Sequence, residues 1–133
     1  MITRIHVKNF RSLADVNIEL GPLTVLVGRN GAGKSAFLDV LRFVRDALRS
    51  GLENSILERH GIASLRRWAP RKPYNVEIGL VIEDRSISGE YSFTIASGQQ
   101  GTYRIARETC RILRGTLLEE QFETKDGKWT VPP

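Results

Sequence analysis

Hydrophobic positions change period along the chain, and each change marks an element. Ile5 and Val7 alternate with Arg4, His6 and Lys8. Val16, Ile18 and Leu20 alternate in the same way with Asp15, Asn17 and Glu19. Both segments predict strands with one wet face. Gly21-Pro22 reads as a turn, and Leu23-Thr24-Val25-Leu26-Val27 follows as a near-continuous apolar run. Such a run predicts a strand buried on both faces, as in a parallel or mixed sheet. The period then lengthens: Phe37, Leu38, Leu41, Val44 and Leu48 recur at helical spacing, with Asp39, Arg42, Arg45, Asp46 and Arg49 off the stripe. This predicts a helix over 35–49 that stops near Ser50-Gly51, then a short helix over 53–59 ended by Gly61.

After a proline-marked loop over 69–73, a period of two returns. Val76, Ile78, Leu80 and Ile82 form one alternating set, and Tyr91, Phe93 and Ile95 another. Further strands are expected near 103–113, over 117–124 and around Trp129 and Val131. Turns at Ser88-Gly89, 97–101, Gly115 and Asp126-Gly127 separate them, so the pattern is an antiparallel meander.

The junction between the apolar run and the long helix carries the chemistry. Gly28-Arg29-Asn30-Gly31-Ala32-Gly33-Lys34-Ser35 is G-x-x-x-x-G-K-S, the phosphate-binding P-loop. Glycines let the backbone curl so that successive N–H groups point at phosphates, Lys34 reaches the β/γ-phosphates, and the Ser35 hydroxyl is a candidate Mg²⁺ ligand. The helix start adds unpaired N–H groups and the positive end of its dipole. Residues 28–36, Ala36 included, are therefore the candidate ATP-binding segment, with Ser35 as the candidate metal ligand.

Bulk properties narrow the class. A length of 133 residues suits one domain, and 41% hydrophobic with 26% charged residues is a soluble globular balance. The single cysteine, Cys110, allows no intrachain disulfide and reads as a small core residue. No apolar stretch approaches the ~20 residues of a membrane span, and the first residues lack a secretion signal, so a cytoplasmic location is expected. The net charge of +5, mostly arginine, points to a polyanion such as DNA. Arg42, Arg45 and Arg49 lie at i, i+3 and i+7 on one helix face, where they form either a DNA-facing stripe or a solvated surface.

The first fifty residues resemble the start of an ABC-class ATPase of the SMC/RecF/OLD type. The opening strand runs into Asn9-Phe10-Arg11-Ser12, similar to the N-F-[RK]-S segment of that group, and the loop has its form G-x-N-G-x-G-K-S at Gly28, Asn30, Gly31, Gly33, Lys34 and Ser35. The meander resembles the β-subdomain of these ATPases. The resemblance implies ATP and Mg²⁺ as cofactors, with Arg11 and Asn30 close to the nucleotide. It implies two heads that sandwich ATP and act in DNA repair, DNA maintenance or defence against phage. The fold expected is α/β with α+β character: a P-loop NTPase lobe with a mixed sheet, a P-loop helix and an antiparallel β-subdomain. Its parts would be 1–50 (strands, loop and helix), 51–73 (short helix and loop) and 74–133 (β-subdomain).

Departures from the group matter as much. No signature loop of the L-S-G-G type is present. Leu80-Val81-Ile82-Glu83-Asp84 imitates a Walker B strand, but its alternation predicts a half-exposed antiparallel strand, and its acids stand in the reverse order. Gln99, Gln100 and Gln121 are weak Q-loop candidates, and neither His6 nor His60 follows a Walker B strand. The expectation is an N-terminal lobe only, which binds ATP and turns it over when a second lobe or a second head supplies Walker B, signature and switch. The alternative is a non-catalytic nucleotide-binding or interaction module. A GTPase would need N-K-x-D, which Thr124-Lys125-Asp126-Gly127 does not supply. A small-molecule kinase would need a mostly helical chain, against which the meander argues.

Overall fold

In a computed structural model describing residues 1–133, the alternating segments become the seven strands of one sheet. They are β1 (Ile2–Phe10), β2 (Leu13–Glu19), β3 (Val76–Asp84), β4 (Ile87–Ser97), β5 (Tyr103–Arg114), β6 (Leu117–Lys125) and β7 (Lys128–Val131). Their order is β2-β1-β3-β4-β5-β6-β7, so only β1 and β3 are neighbours across a long connection. That connection holds three helices: α1 (Lys34–Ser50), α2 (Leu52–Leu57) and α3 (Ile62–Leu65). The first two lie close to the expected spans, and α3 is an addition.

Register explains which face is buried. Ile5 pairs with Leu80, and Val7 with Ile78. Ile78 pairs in turn with Phe93, and Val76 with Ile95. These seven positions share one face, and α1 covers it with Phe37, Val40, Phe43 and Val44, joined by Ile56, Ile62 and Leu65. The opposite face is polar, as a solvated antiparallel sheet should be. There Arg4 pairs with Glu19 at 3.0 Å and His6 with Asp15 at 2.8 Å.

Two expectations are corrected. The sheet is not mixed, because every strand pair is antiparallel. The apolar run over 23–27 forms no strand, and Leu23, Val25 and Val27 are 85%, 73% and 90% exposed. The physical reason is common to both. A strand that is apolar on both faces needs sheet neighbours and a covering layer on each side, and this chain gives residues 23–27 no sheet neighbour and packs only Leu26, in part, against the core. Cys110, expected as core, is only half-buried on β5, a strand without a fully buried residue. Its thiol is nevertheless pushed up, first by desolvation and then by Glu120 and Glu108.

Phe10 is the test of this packing. It ends β1, is fully buried, and its ring lies 5.8 Å from that of Phe43 on α1. Phe10→Ala is expected to destabilise the chain by about 3–5 kcal/mol. Leu117→Ala, at an exposed position of β6, should change stability by no more than about 0.5 kcal/mol. Urea unfolding followed by circular dichroism reads both.

Candidate functional site

The loop before α1 takes the shape its glycines permit. Gly31 and Gly33 have φ of +81° and +95°, the left-handed region that favours glycine. Gly33 is also short of space, since a Cβ there would come within 3.0 Å of Leu13 Cδ2 and 3.9 Å of Ser12 Oγ. The end of the loop therefore rests on the turn between β1 and β2. The loop also closes on itself: the Ala32 N–H donates to the Arg29 carbonyl at 3.1 Å. Lys34 Nζ donates to the carbonyl of Arg29 at 2.9 Å and to that of Gly28.

The helix start offers further donors. Gly33 caps α1 without a side-chain hydrogen bond, and no acid lies in the first turn. The leading N–H groups of α1 have no partner within the helix. Ser35 is exposed in that first turn, Ala36 is half-buried behind it, and Arg29, Asn30 and Gly31 face solvent. Residues 28–36 thus form one loop-and-helix unit. Its donor set, free amides and an ammonium with one hydroxyl and no carboxylate, fits a phosphate chain carrying Mg²⁺.

The turn that supports this loop is strained and clamped. Asn9 and Arg11 have φ of +56° and +48° on either side of the buried Phe10. A non-glycine residue held in this region costs of order 1–3 kcal/mol. Two backbone bonds hold it: Arg11 N–H donates to the Leu65 carbonyl at 2.6 Å, and Arg67 N–H to the Asn9 carbonyl at 2.7 Å. The segment after α2 is thereby laced to the turn. Nothing in the pattern of residues 62–67 signals this, because the bonds are made by backbone groups.

Arg11, the carried-over candidate, has Nε 2.9 Å from Asp39 Oδ2 on α1. Arg59 approaches the other oxygen of Asp39 at 3.7 Å and reaches Asp46 Oδ2 at 2.7 Å. Arg59 also lies over the Phe43 ring, 5.4 Å from its centroid, and donates to the Ser55 carbonyl at 3.1 Å. Sequence reasoning placed Asp39 and Asp46 only as charges off the apolar stripe. Their i+4 and i+11 offsets from Ser35 were the available signal, since they put both on the helix that begins at the loop.

Other candidates lie apart from the loop unit. Glu83 and Asp84 end β3 as exposed residues at a hairpin, and the Glu83 carbonyl accepts the Met1 amine at 2.7 Å. Gln99 and Gln100 sit in the β4–β5 connection and Gln121 on β6. His6 is engaged by Asp15 on the polar face, and His60 follows α2 with φ +65°. Arg42, Arg45 and Arg49 are all exposed on α1. No helix is long and apolar enough to cross a membrane.

With this geometry in view, comparison with known proteins is informative. Residues 1–99 match the family described as the AAA ATPase domain. The chain belongs to that family. A second match is to an OLD nuclease of Thermus scotoductus, 52% identical over 44 residues. That stretch is 33% of this chain and only 8% of the relative. It agrees with the resemblance to the SMC/RecF/OLD group.

Asp46 provides a pH test of the charge cluster. Its carboxyl is held below the usual carboxylate range, first by hydrogen bonding to Arg59 and then to Arg45, against a smaller opposing effect of burial. A depressed carboxylate contributes stability above its unfolded value, about pH 3.9, and loses it as pH falls through the folded value. Asp46→Asn is therefore expected to lower the thermal midpoint at pH 7 and to bring it closer to wild type below about pH 3.9. Parallel melting curves from pH 7 to pH 2 check the convergence.

Proposed function

We propose that this chain is the ATP-binding lobe of an ABC-class ATPase, in which nucleotide binding joins two heads and hydrolysis separates them. The observation that carries the reading is the loop over 28–35. It combines two left-handed glycines, an uncapped helix start and a lysine folded over the loop, on a family whose described domain is an ATPase. Phosphates would be bound by backbone amides and Lys34, and Ser35 would hold Mg²⁺, which neutralises charge on the β- and γ-oxygens. Arg29, Asn30 and Ala36 would border the same segment, with Arg11 reaching in from the β1–β2 turn.

The exposed run over 23–27 supports a second lobe. It enters the loop directly and has the composition of a strand buried on both faces, so sheet neighbours from elsewhere would cover Leu23, Val25 and Val27. The same lobe or a partner head would bring the acid that polarises water, because Glu83 and Asp84 lie exposed at the end of an antiparallel strand. We place the activity in DNA repair, DNA maintenance or defence against phage, following the group. Of the arginine stripe, Arg45 is engaged by Asp46, which leaves Arg42 and Arg49 to meet a DNA backbone.

Lys34→Ala should weaken ATP binding by about tenfold or more with the fold intact, since charge-assisted contacts contribute about 1.5–3 kcal/mol each. Calorimetry decides, and equal affinities would overturn the reading. The chain alone should release phosphate from ATP at no more than the rate of Lys34→Ala. Turnover that disappears in Glu83→Gln would instead make the 80–84 segment a working acid site.

A further inference from the structure

We propose that Asp39 is a positioning residue that aims Arg11 at the phosphates, an inference that rests on the phosphate-binding reading of the loop. The geometry points to this from three sides. Ser12 and Leu13 underlie Gly33, so the Arg11 turn abuts the end of the loop. Asp39 lies one helical turn beyond Ser35 on α1. Arg11 meets Asp39 through Nε at 2.9 Å, while its two terminal nitrogens make no hydrogen bond and its side chain is 42% exposed.

A guanidinium held at Nε keeps its outer fork for another anion, and a phosphate oxygen pair matches that fork. An exposed arginine otherwise loses rotamer freedom when it binds. Asp39 removes part of that loss in advance.

A carboxylate beside a phosphate site also repels the ligand, so the balance of charge matters. Asp39 is not a free anion. Its other oxygen faces Arg59, whose side chain is only 10% exposed and which also holds Asp46. With Arg45 on Asp46, three guanidinia face two carboxylates, and the cluster keeps one positive charge in excess. The excess lies toward Arg11, because Arg45, though more exposed, has its Nε and one terminal nitrogen on Asp46, whereas the fork of Arg11 is unengaged. Asp39 Oδ2 is buried, and its contact with Arg11 is ionic rather than a directed hydrogen bond. That leaves Arg11 free to settle onto a phosphate without breaking a well-aligned bond.

The test is a double-mutant cycle on Mg²⁺·ATP binding by calorimetry, with wild type, Asp39→Asn, Arg11→Lys and the double variant. Lysine keeps the charge at position 11 but has no Nε to be held. Arg11→Lys should weaken binding about tenfold, Asp39→Asn should weaken it several-fold, and the double variant should bind no more weakly than Arg11→Lys alone. Tighter or unchanged binding by Asp39→Asn overturns the proposal, as does a double variant whose losses multiply. Lys34→Ala separates the two levels. If it too leaves affinity unchanged, the phosphate-loop reading fails; if it weakens ATP while Asp39→Asn is silent, only the role of Asp39 fails. A measurement on the wild type needs no variant at position 39 to fold: nitrogen-15 relaxation in which Arg11 Nε–H, assigned by its loss in Arg11→Lys, is more restricted in its motion than Arg42 Nε–H. Equal order parameters for the two overturn the proposal.

Discussion

The burial of Phe10 is the constraint on which the site depends. Its ring is enclosed between the sheet and Phe43, and the residues on either side of it are forced into left-handed backbone. Neither Asn9 nor Arg11 would hold that conformation unaided. The clamp from Leu65 and Arg67 and the apolar contact together outweigh the strain. The turn so fixed carries Leu13 and Ser12 under Gly33 and sends Arg11 to Asp39. The core, the turn and the loop thus form one mechanical chain, with a buried aromatic at its base.

Much of this was legible in the sequence. Alternation placed β1, β2 and the whole meander, and the helical stripe of Phe37, Val44 and their neighbours placed α1. The G-x-x-x-x-G-K-S spacing located the loop, because it encodes local backbone geometry that needs no distant partner. The run over 23–27 has the composition of a strand and forms none, because composition describes an environment, and the fold of these residues does not supply it. The charge cluster was legible only as two acids on the helix that begins at the loop, not as a cluster. Asp39 and Asp46 look like surface charges on a helical wheel, and Arg59 becomes their partner only when α2 folds back on α1. The clamp at Leu65 and Arg67 was equally hidden, since backbone hydrogen bonds leave no mark in side-chain chemistry.

Family and geometry agree on different evidence. The match over 1–99 covers the loop, the helices and the first strands of the sheet, and stops where the outer strands begin. Those outer strands bury no residue fully, and their charge pairs, such as Arg104 with Asp126 at 3.0 Å, lie on the surface. The part that fits the family is therefore also the part that owns the core. The remainder extends the sheet from β5 outward, with only Tyr103 and Ile105 of β5 still packed against that core.

The apolar run that enters the loop has a consequence for how such a lobe lives in a cell. Residues 23–27 are uncharged, rich in strand-forming side chains and unpaired, which is the composition that drives chains into ordered aggregates. Synthesised without whatever covers it, the lobe would present a sticky ribbon to its own copies and to the chaperones and proteases that patrol for orphan subunits. If the second lobe proposed above covers that run, assembly and survival would be the same event, and the abundance of the one would follow that of the other.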